Sequence, residues 1–311
     1  MGKKMSVTNQ KKGRKKMLKK VLLVMISLSL LTTPNLFAGD NHAMPMLRMG
    51  VGARALAMGG AYVAEAHDAS AGYWNPAGIA QIDFIHITGM YAASMSYDRQ
   101  YNYFAYGHRF DFGALGLSWI GAGVDEIKEY DNSGKFLGEF DNMDNVFLFS
   151  YGNEVGKFLV GANFKVVTQK IDYSDSYSET GVGFDCGFKF DASDEIALGV
   201  AFRDLGTKVG DDRVPANYLF GAAIYPLYGF TFTTDVEKIE KRSELKFHFG
   251  GEYTYEFSPD YFASLRGGVS DGNFAIGCGL QIYKFNLDYA YITEAENFLG
   301  ENHRISLGIT F

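Results

Sequence analysis

The chain has 311 residues, 37 of them glycine, with 15% aromatic side chains and only six prolines. Glycine at about 12% stands well above the usual ~7%. After residue 40 no apolar run reaches the ~18–20 residues of a membrane-spanning helix, and a formal charge of −7 argues against nucleic acid as a partner. These traits leave two classes open, a soluble β-rich protein and a membrane barrel. The barrel uses aromatics at its interfaces and small residues where strands pack closely.

Taken in order, the first 38 residues carry nine Lys and Arg and no acid, then an apolar core from Val21 to Leu31, then Leu36-Phe37-Ala38. A basic start, a short apolar run and a small residue at the cut make a secretory signal, expected over 1–38. The apolar run is too short for an anchor. Removing the nine leaves 20 of the 29 basic residues against 36 acidic ones, a net charge of −16. No cysteine follows the apolar core, so a lipoprotein attachment point is excluded.

Residues 39–82 are rich in Gly and Ala. Within them, helix formers from Ala53 to Ala66 are interrupted by Gly59-Gly60, and Asn75-Pro76-Ala77 marks a turn. Small side chains suit close packing inside something narrow. Lying ahead of the first strand, the segment is expected to fold back into a barrel mouth as a hatch, with Gly59, Gly60, Asn75, Pro76 and Ala77 at the gate. A cap or plain linker is the plainer reading. Gly50-Val51-Gly52-Ala53-Arg54-Ala55 echoes a dinucleotide fingerprint, but the preceding strand and βαβ unit that such a site needs are missing.

From residue 83 to 311 apolar and polar residues alternate in about fourteen stretches, the mark of strands with one apolar face. They begin near Phe84, Tyr101, Ala114, Asn145, Phe158, Thr180, Ile196, Asn217, Phe230, Leu245, Tyr261, Phe274, Phe285 and His303. The last sets Ile305, Leu307, Ile309 and Phe311 against Arg304, Ser306, Gly308 and Thr310. Short connections alternate with longer polar ones, among them the acidic stretch Gly121–Asp144, expected as a solvated loop. Tight turns at one end and long loops at the other are typical of outer-membrane barrels, whereas a soluble sandwich has no reason to sort its loops by parity. An even strand count puts both ends of the sheet on the short-turn side. The fold class expected is therefore all-β, a transmembrane antiparallel barrel of about fourteen strands with a short N-terminal helical hatch, exported to the bacterial outer membrane. Its surroundings would be outer-membrane lipid, and the barrel-assembly machinery would read the terminal strand ending at Phe311.

Chemistry is sparse. The six histidines share no metal-ligand spacing on one element, and strand serines such as Ser118, Ser150 and Ser264 lack a Gly-x-Ser-x-Gly elbow. Cys186 and Cys278 fall on apolar faces of strands that are not neighbours, so no disulfide is expected. The reading is a non-enzyme without metal or cofactor. On the polar faces Lys165, Asp185, Lys189, Arg203, Lys246, Glu252, Arg266, Asp288 and Arg304 point to the lumen. They either ring a solute path or pair across strands, since an unpaired charge in a narrow lumen is costly.

Met58-Gly59-Gly60-Ala61-Tyr62-Val63-Ala64, Asp68-Ala69-Ser70-Ala71 and Tyr73-Trp74-Asn75-Pro76-Ala77-Gly78 follow one another in an order that resembles the N-terminal region of the FadL/PorV group of outer-membrane barrels. The resemblance is specific over about thirty residues. It implies a fourteen-stranded barrel with an N-terminal hatch. FadL-type members pass long-chain fatty acids or aromatic hydrocarbons, and PorV-type members assist type IX secretion and surface attachment of proteins. Leu47–Ala55 reads closer to the PorV/PorQ branch. The function implied is a hatch-gated conduit for small hydrophobic molecules, with a PorV-like secretion accessory as the alternative.

Overall fold

A computed structural model describes residues 43–93, 99–172, 177–293 and 302–311. The signal expected over 1–38 lies outside the described residues. Fourteen strands close into one antiparallel barrel: β1 (Ile85–Ala93), β2 (Arg99–Phe110), β3 (Gly113–Tyr130), β4 (Phe136–Val155), β5 (Phe158–Asp172), β6 (Tyr177–Ser193), β7 (Ile196–Leu205), β10 (Asn217–Leu227), β11 (Phe230–Ile239), β12 (Leu245–Ser258), β13 (Tyr261–Ser270), β14 (Asn273–Ile282), β15 (Phe285–Ile292) and β16 (Asn302–Thr310). A two-stranded ribbon, β8 (Lys208–Val209) with β9 (Asp212–Arg213), fills the connection between β7 and β10. Each strand pairs with its sequence neighbour in the wall, and β1 closes on β16 from His86↔Thr310 to Ala93↔His303, so no sheet edge is left open.

All the expected strand starts but the fourth lie within three residues of those observed. The fourth differs because Gly121–Asp144 is not a loop. β3 and β4 run on through it as a paired hairpin, Ile127↔Phe140 and Tyr130↔Phe136 included, and only residues 131–135 form the tip. Water bathes both faces there, so the apolar period that betrays a half-buried strand is absent. β11 continues through Asp235 to Ile239, its inward face there carrying Asp235 and Glu237, both buried in the lumen.

The wall faces two solvents. Phe104, Leu117, Phe149, Phe164, Leu265 and Leu307 point outward and are exposed, a surface that water would not tolerate in such breadth. Cys278 lies on this outer surface and Cys186 is half-buried; both are free thiols. At one end the connections are two-residue turns, such as Gly156-Lys157 and Tyr283-Lys284. The longer connections all lie at the other end.

The core is inside the lumen. Residues 43–82 run through it, entering at the long-loop end, where the Tyr101 hydroxyl donates to the Gly50 carbonyl at 2.9 Å, and leaving at the short-turn end into β1. Val51, Met58, Tyr62, Trp74 and Ile79 from the segment pack with Tyr101, Ile120 and Leu148 of the wall.

Candidate functional site

The inner segment fits because the wall facing it is bare. Gly107 and Gly116 are register partners, as are Gly152 and Gly161, Gly161 and Gly187, Gly199 and Gly221, and Gly250 and Gly268. Nearly every one meets backbone or a short side chain of the segment. A Cβ on Gly199 would stand 2.6 Å from the Val63 carbonyl oxygen, and one on Gly250 would stand 2.6 Å from that of Met58. On Gly161, Gly187 or Gly268 it would overlap Pro76, Asn75 or Gly59 outright. The high glycine content is thus spent on admitting a backbone into the lumen, not on strand-to-strand contact as composition alone suggests.

Within the segment, a helical turn at Ala53–Ala57 starts with the Ala53 N–H donating to the Ser306 hydroxyl at 2.8 Å. It ends at Gly59 and Gly60, whose φ values of 65° and 72° place both in the left-handed region. Gly59 has a second constraint: a Cβ there would be 2.7 Å from the Val269 nitrogen. Further on, Asp235 of β11 accepts from the N–H groups of Tyr62 and Val63 at 2.8 and 2.9 Å.

Asn75, fully buried, joins three parts of the molecule. Its amide donates to Val63 O at 2.9 Å and to Phe188 O of β6 at 3.2 Å, and its Oδ1 accepts from Ala77 N at 3.2 Å. Pro76 then opens a 3₁₀ turn to Gln81, where its missing N–H costs nothing. Gly59 and Gly60 lie against β12 and β13, Asn75 and Pro76 against β5 and β6. Gly59, Asn75 and Pro76 are among the segment's closest approaches to the wall, whereas Gly60 faces Trp74 of the segment itself more closely than any wall residue.

The lumen charges are paired with one another and with the segment. Arg54 donates to Glu65 at 2.8 Å and to both oxygens of Glu252 at 2.7 and 3.0 Å; Arg266 then bridges Glu252 at 2.5 Å and Asp288 at 2.6 Å. This five-membered ladder ties segment to wall. Lys165 pairs with Asp185 at 2.9 Å and with Asp204, while Asn163 donates to Asp185 at 2.8 Å and to Gly72 O at 2.6 Å. Lys189 donates to Ala66 O at 2.6 Å and Gln81 Oε1 at 2.5 Å. Lys246 pairs with Asp271 at 3.1 Å. Arg203 stands over the Tyr73 ring at 4.8 Å, and Arg304, 1% exposed, over Tyr101 at 5.6 Å.

Burial opposes charge on Arg54, but Glu252 and Glu65 outweigh it and hold the guanidinium firmly charged. Burial likewise opposes ionisation of Asp68; facing His86 and His67, and accepting from Ser70, its carboxyl is nevertheless held below the usual range. Sequence reasoning missed Arg54, Glu65, Asn163 and Asp235. Asp235 was legible as the polar-face partner of Thr233 and Glu237. Arg54 was not, because its partner Glu252 lies 198 residues away.

Two cavities flank the segment. One of about 460 Å³ opens at the short-turn end between Arg54, Asp68, His86, Arg266, Asn286 and Thr310. The other, about 290 Å³, lies at the long-loop end against Arg48, Tyr73, Trp74 and Arg203. Among the described residues no group of His, Cys, Asp and Glu is arranged to hold a metal ion.

The same closed antiparallel barrel is found in solved structures. Two toluene transporters share it: TbuX of Ralstonia pickettii, 12% identical, with 84% of this chain and 98% of that one covered at a TM-score of 0.63, and TodX of P. putida, 11% identical over 84% and 99% at 0.61. A Pseudomonas aeruginosa FadL homologue matches more loosely, 12% identical over 81% and 94% at 0.49. At these identities the likeness is one of fold alone, a closed antiparallel β-barrel. No family model matches the sequence, and no curated relative matches it.

Proposed function

We propose that this chain is an outer-membrane, FadL-like conduit for small hydrophobic molecules, closed by residues 43–82 as a hatch and opened by movement of that segment about Asn75-Pro76-Ala77. One observation carries the reading. The segment lies in the lumen against paired glycines, held there by wall side chains such as Tyr101, Ile120 and Leu148 and by hydrogen bonds and ion pairs, while the strand pairing of the wall is complete without it. Such a closure can shift without dismantling the barrel. The outward apolar surface suits outer-membrane lipid, and the final strand ending at Phe311 suits recognition by the barrel-assembly machinery. The two toluene transporters with this fold are consistent with hydrophobic solutes. Passage down a lumen requires no cofactor and no catalytic residue.

The test is a reversible lock. A Cβ on Gly107 would lie 3.7 Å from that of Ala69, close to the ~3.8 Å typical of a disulfide. In a background with Cys186→Ser and Cys278→Ser, Ala69→Cys with Gly107→Cys ties the hatch to β2. Uptake of toluene into cells should fall on oxidation and recover with reductant. Equal uptake in both states would defeat hatch gating.

A second reading, a PorV-like accessory for secretion and surface attachment, draws on the Leu47–Ala55 stretch. It predicts that the barrel co-purifies with secretion components or surface proteins, and a pull-down returning the barrel alone would count against it.

A further inference from the structure

Residues 206–216, which join β7 to β10 and contain the β8–β9 ribbon, turn inward, although connections normally run in water. The ribbon has two faces. Lys208, Asp211, Asp212 and Arg213 are exposed, whereas Thr207, Val209 and Val214 are buried. The wall beneath is bare for it. On the inner face of β6, a Cβ on Gly181 would overlap the Lys208 carbonyl, and one on Gly183 would overlap the Thr207 hydroxyl. Further along the same face Gly187 makes room for Asn75 of the hatch. One strand thus admits both pieces.

The underside of the ribbon meets the entry of the hatch. Val209 and Val214 belong to the same apolar cluster as Met44, Met46 and Leu47, and Arg48 donates to the Pro215 carbonyl at 3.5 Å. The two ends of the ribbon are firmly anchored. At one, Asp204 and Gly206 have φ values of 61° and 66°, and Asp204 is fixed by Lys165 and by its own N–H donating to Asp185 at 2.7 Å. At the other, the Glu240 N–H donates to the Ala216 carbonyl at 2.8 Å, and the Glu240 carboxylate accepts from the Ala216 N–H at 3.2 Å. Between these anchors the outer face is tied by Arg213 to Glu240 at 3.3 Å, with the arginine half-exposed. An exposed pair of this kind contributes little.

We infer that this ribbon is a strap over the hatch, holding residues 44–48 down from the long-loop end. It has to swing outward about residues 204–206 and 215–216 before the hatch can shift. Its charged outer face stays in water in either position, so few side chains lose their cover on release, the condition for a low-stability, movable element. The inference deepens the conduit reading by adding a control on the hatch. It rests on that reading for its purpose but not for the hold of strap on hatch.

Hydrogen exchange of the purified full-length barrel in detergent tests the hold. Val209→Ser with Val214→Ser removes the apolar underside, and amides of residues 44–58 should then exchange at least about tenfold faster while the strands β12–β15 keep their protection. Val214→Ser alone should act in the same direction, and it carries the comparison if the double variant lacks the heat-modifiable migration of a folded barrel. Pinning the strap should do the reverse. In a background with Cys186→Ser and Cys278→Ser, Arg213→Cys and Glu240→Cys are joined by a thiol-cleavable bismaleimide, and exchange at 44–58 should be slower with the bridge than after its cleavage. Unchanged exchange at 44–58 in the valine variants, or equal exchange with and without the bridge, would overturn the inference. In cells the bridge should lower toluene uptake and its cleavage should restore it. If the Ala69–Gly107 lock lowers uptake and the bridge does not, the strap is no part of the gate and the inference falls. If neither lowers uptake while exchange responds as expected, the conduit reading fails and the strap's hold on the hatch stands.

Discussion

A methyl group at Gly187 would collide with Oδ1 of Asn75, the atom that caps the 3₁₀ turn at Ala77. Gly187→Ala therefore strains the wall and the segment together, and about 1–3 kcal/mol is expected, the usual cost of overpacking. Asn75→Ala removes the other side of the same contact and leaves Phe188 O and Val63 O short of a donor, for about 1–3 kcal/mol. Urea unfolding in detergent measures both. If Gly187→Ala is neutral while Asn75→Ala is not, the segment is softer against β6 than its contacts imply. Asp68 adds a pH dependence with a definite sign. Because the folded state holds its carboxyl below the usual range, its contribution is fully present above about pH 4, the unfolded value, and is lost as pH falls through the folded one. Protease nicking of the segment should rise only at that acid end, and Asp68→Asn should remove the dependence.

Between elements the decisive contact is the ladder from Glu65 through Arg54, Glu252 and Arg266 to Asp288. Glu252 accepts from two arginines at once, so Glu252→Gln leaves both guanidinium groups short of charge. Breaking a buried pair in this way costs about 3–5 kcal/mol, and the expected outcome is a segment that exchanges its amide hydrogens faster while the strands stay protected. Unchanged exchange at 53–66 would mean that the ladder is wall furniture only. The ladder also shows where sequence reading stops. Alternation along single strands was enough to place Glu252, Arg266 and Asp288 on the lumen side. Their joining to Arg54 depends on which strands neighbour the segment, which no local period records. The β3–β4 extension escaped for the opposite reason. Its residues pair as strand in water, so Asp125, Glu129, Glu139 and Asp141 read as loop. Deleting residues 127–140, beyond the irregularity between Val124 and Ile127, should leave a heat-modifiable barrel with its uptake intact.

The molecule as a whole is a wall whose strand pairing makes no use of its plug, and this bears on what remains when the plug is gone. The strand pairings are complete without residues 43–82, since β1 closes on β16 and β2 directly. Deletion of Met49–Asn75 should therefore still give a folded barrel, now with an open lumen. In planar bilayers its conductance should exceed that of the full chain at least about tenfold, as expected where a barrel of this width loses its filling. The exposed interior would carry both signs side by side: Lys165 with Asp185, Arg266 with Glu252 and Asp288, Lys246 with Asp271. Rings of one charge select ions, whereas adjacent opposite charges largely cancel beyond a Debye length of about 8 Å. The reversal potential under a potassium chloride gradient should then lie near zero. A strongly anion-selective pore would instead show that Arg203, Arg48 and their neighbours dominate the lumen field, and that the hatch conceals an anion path along its full length.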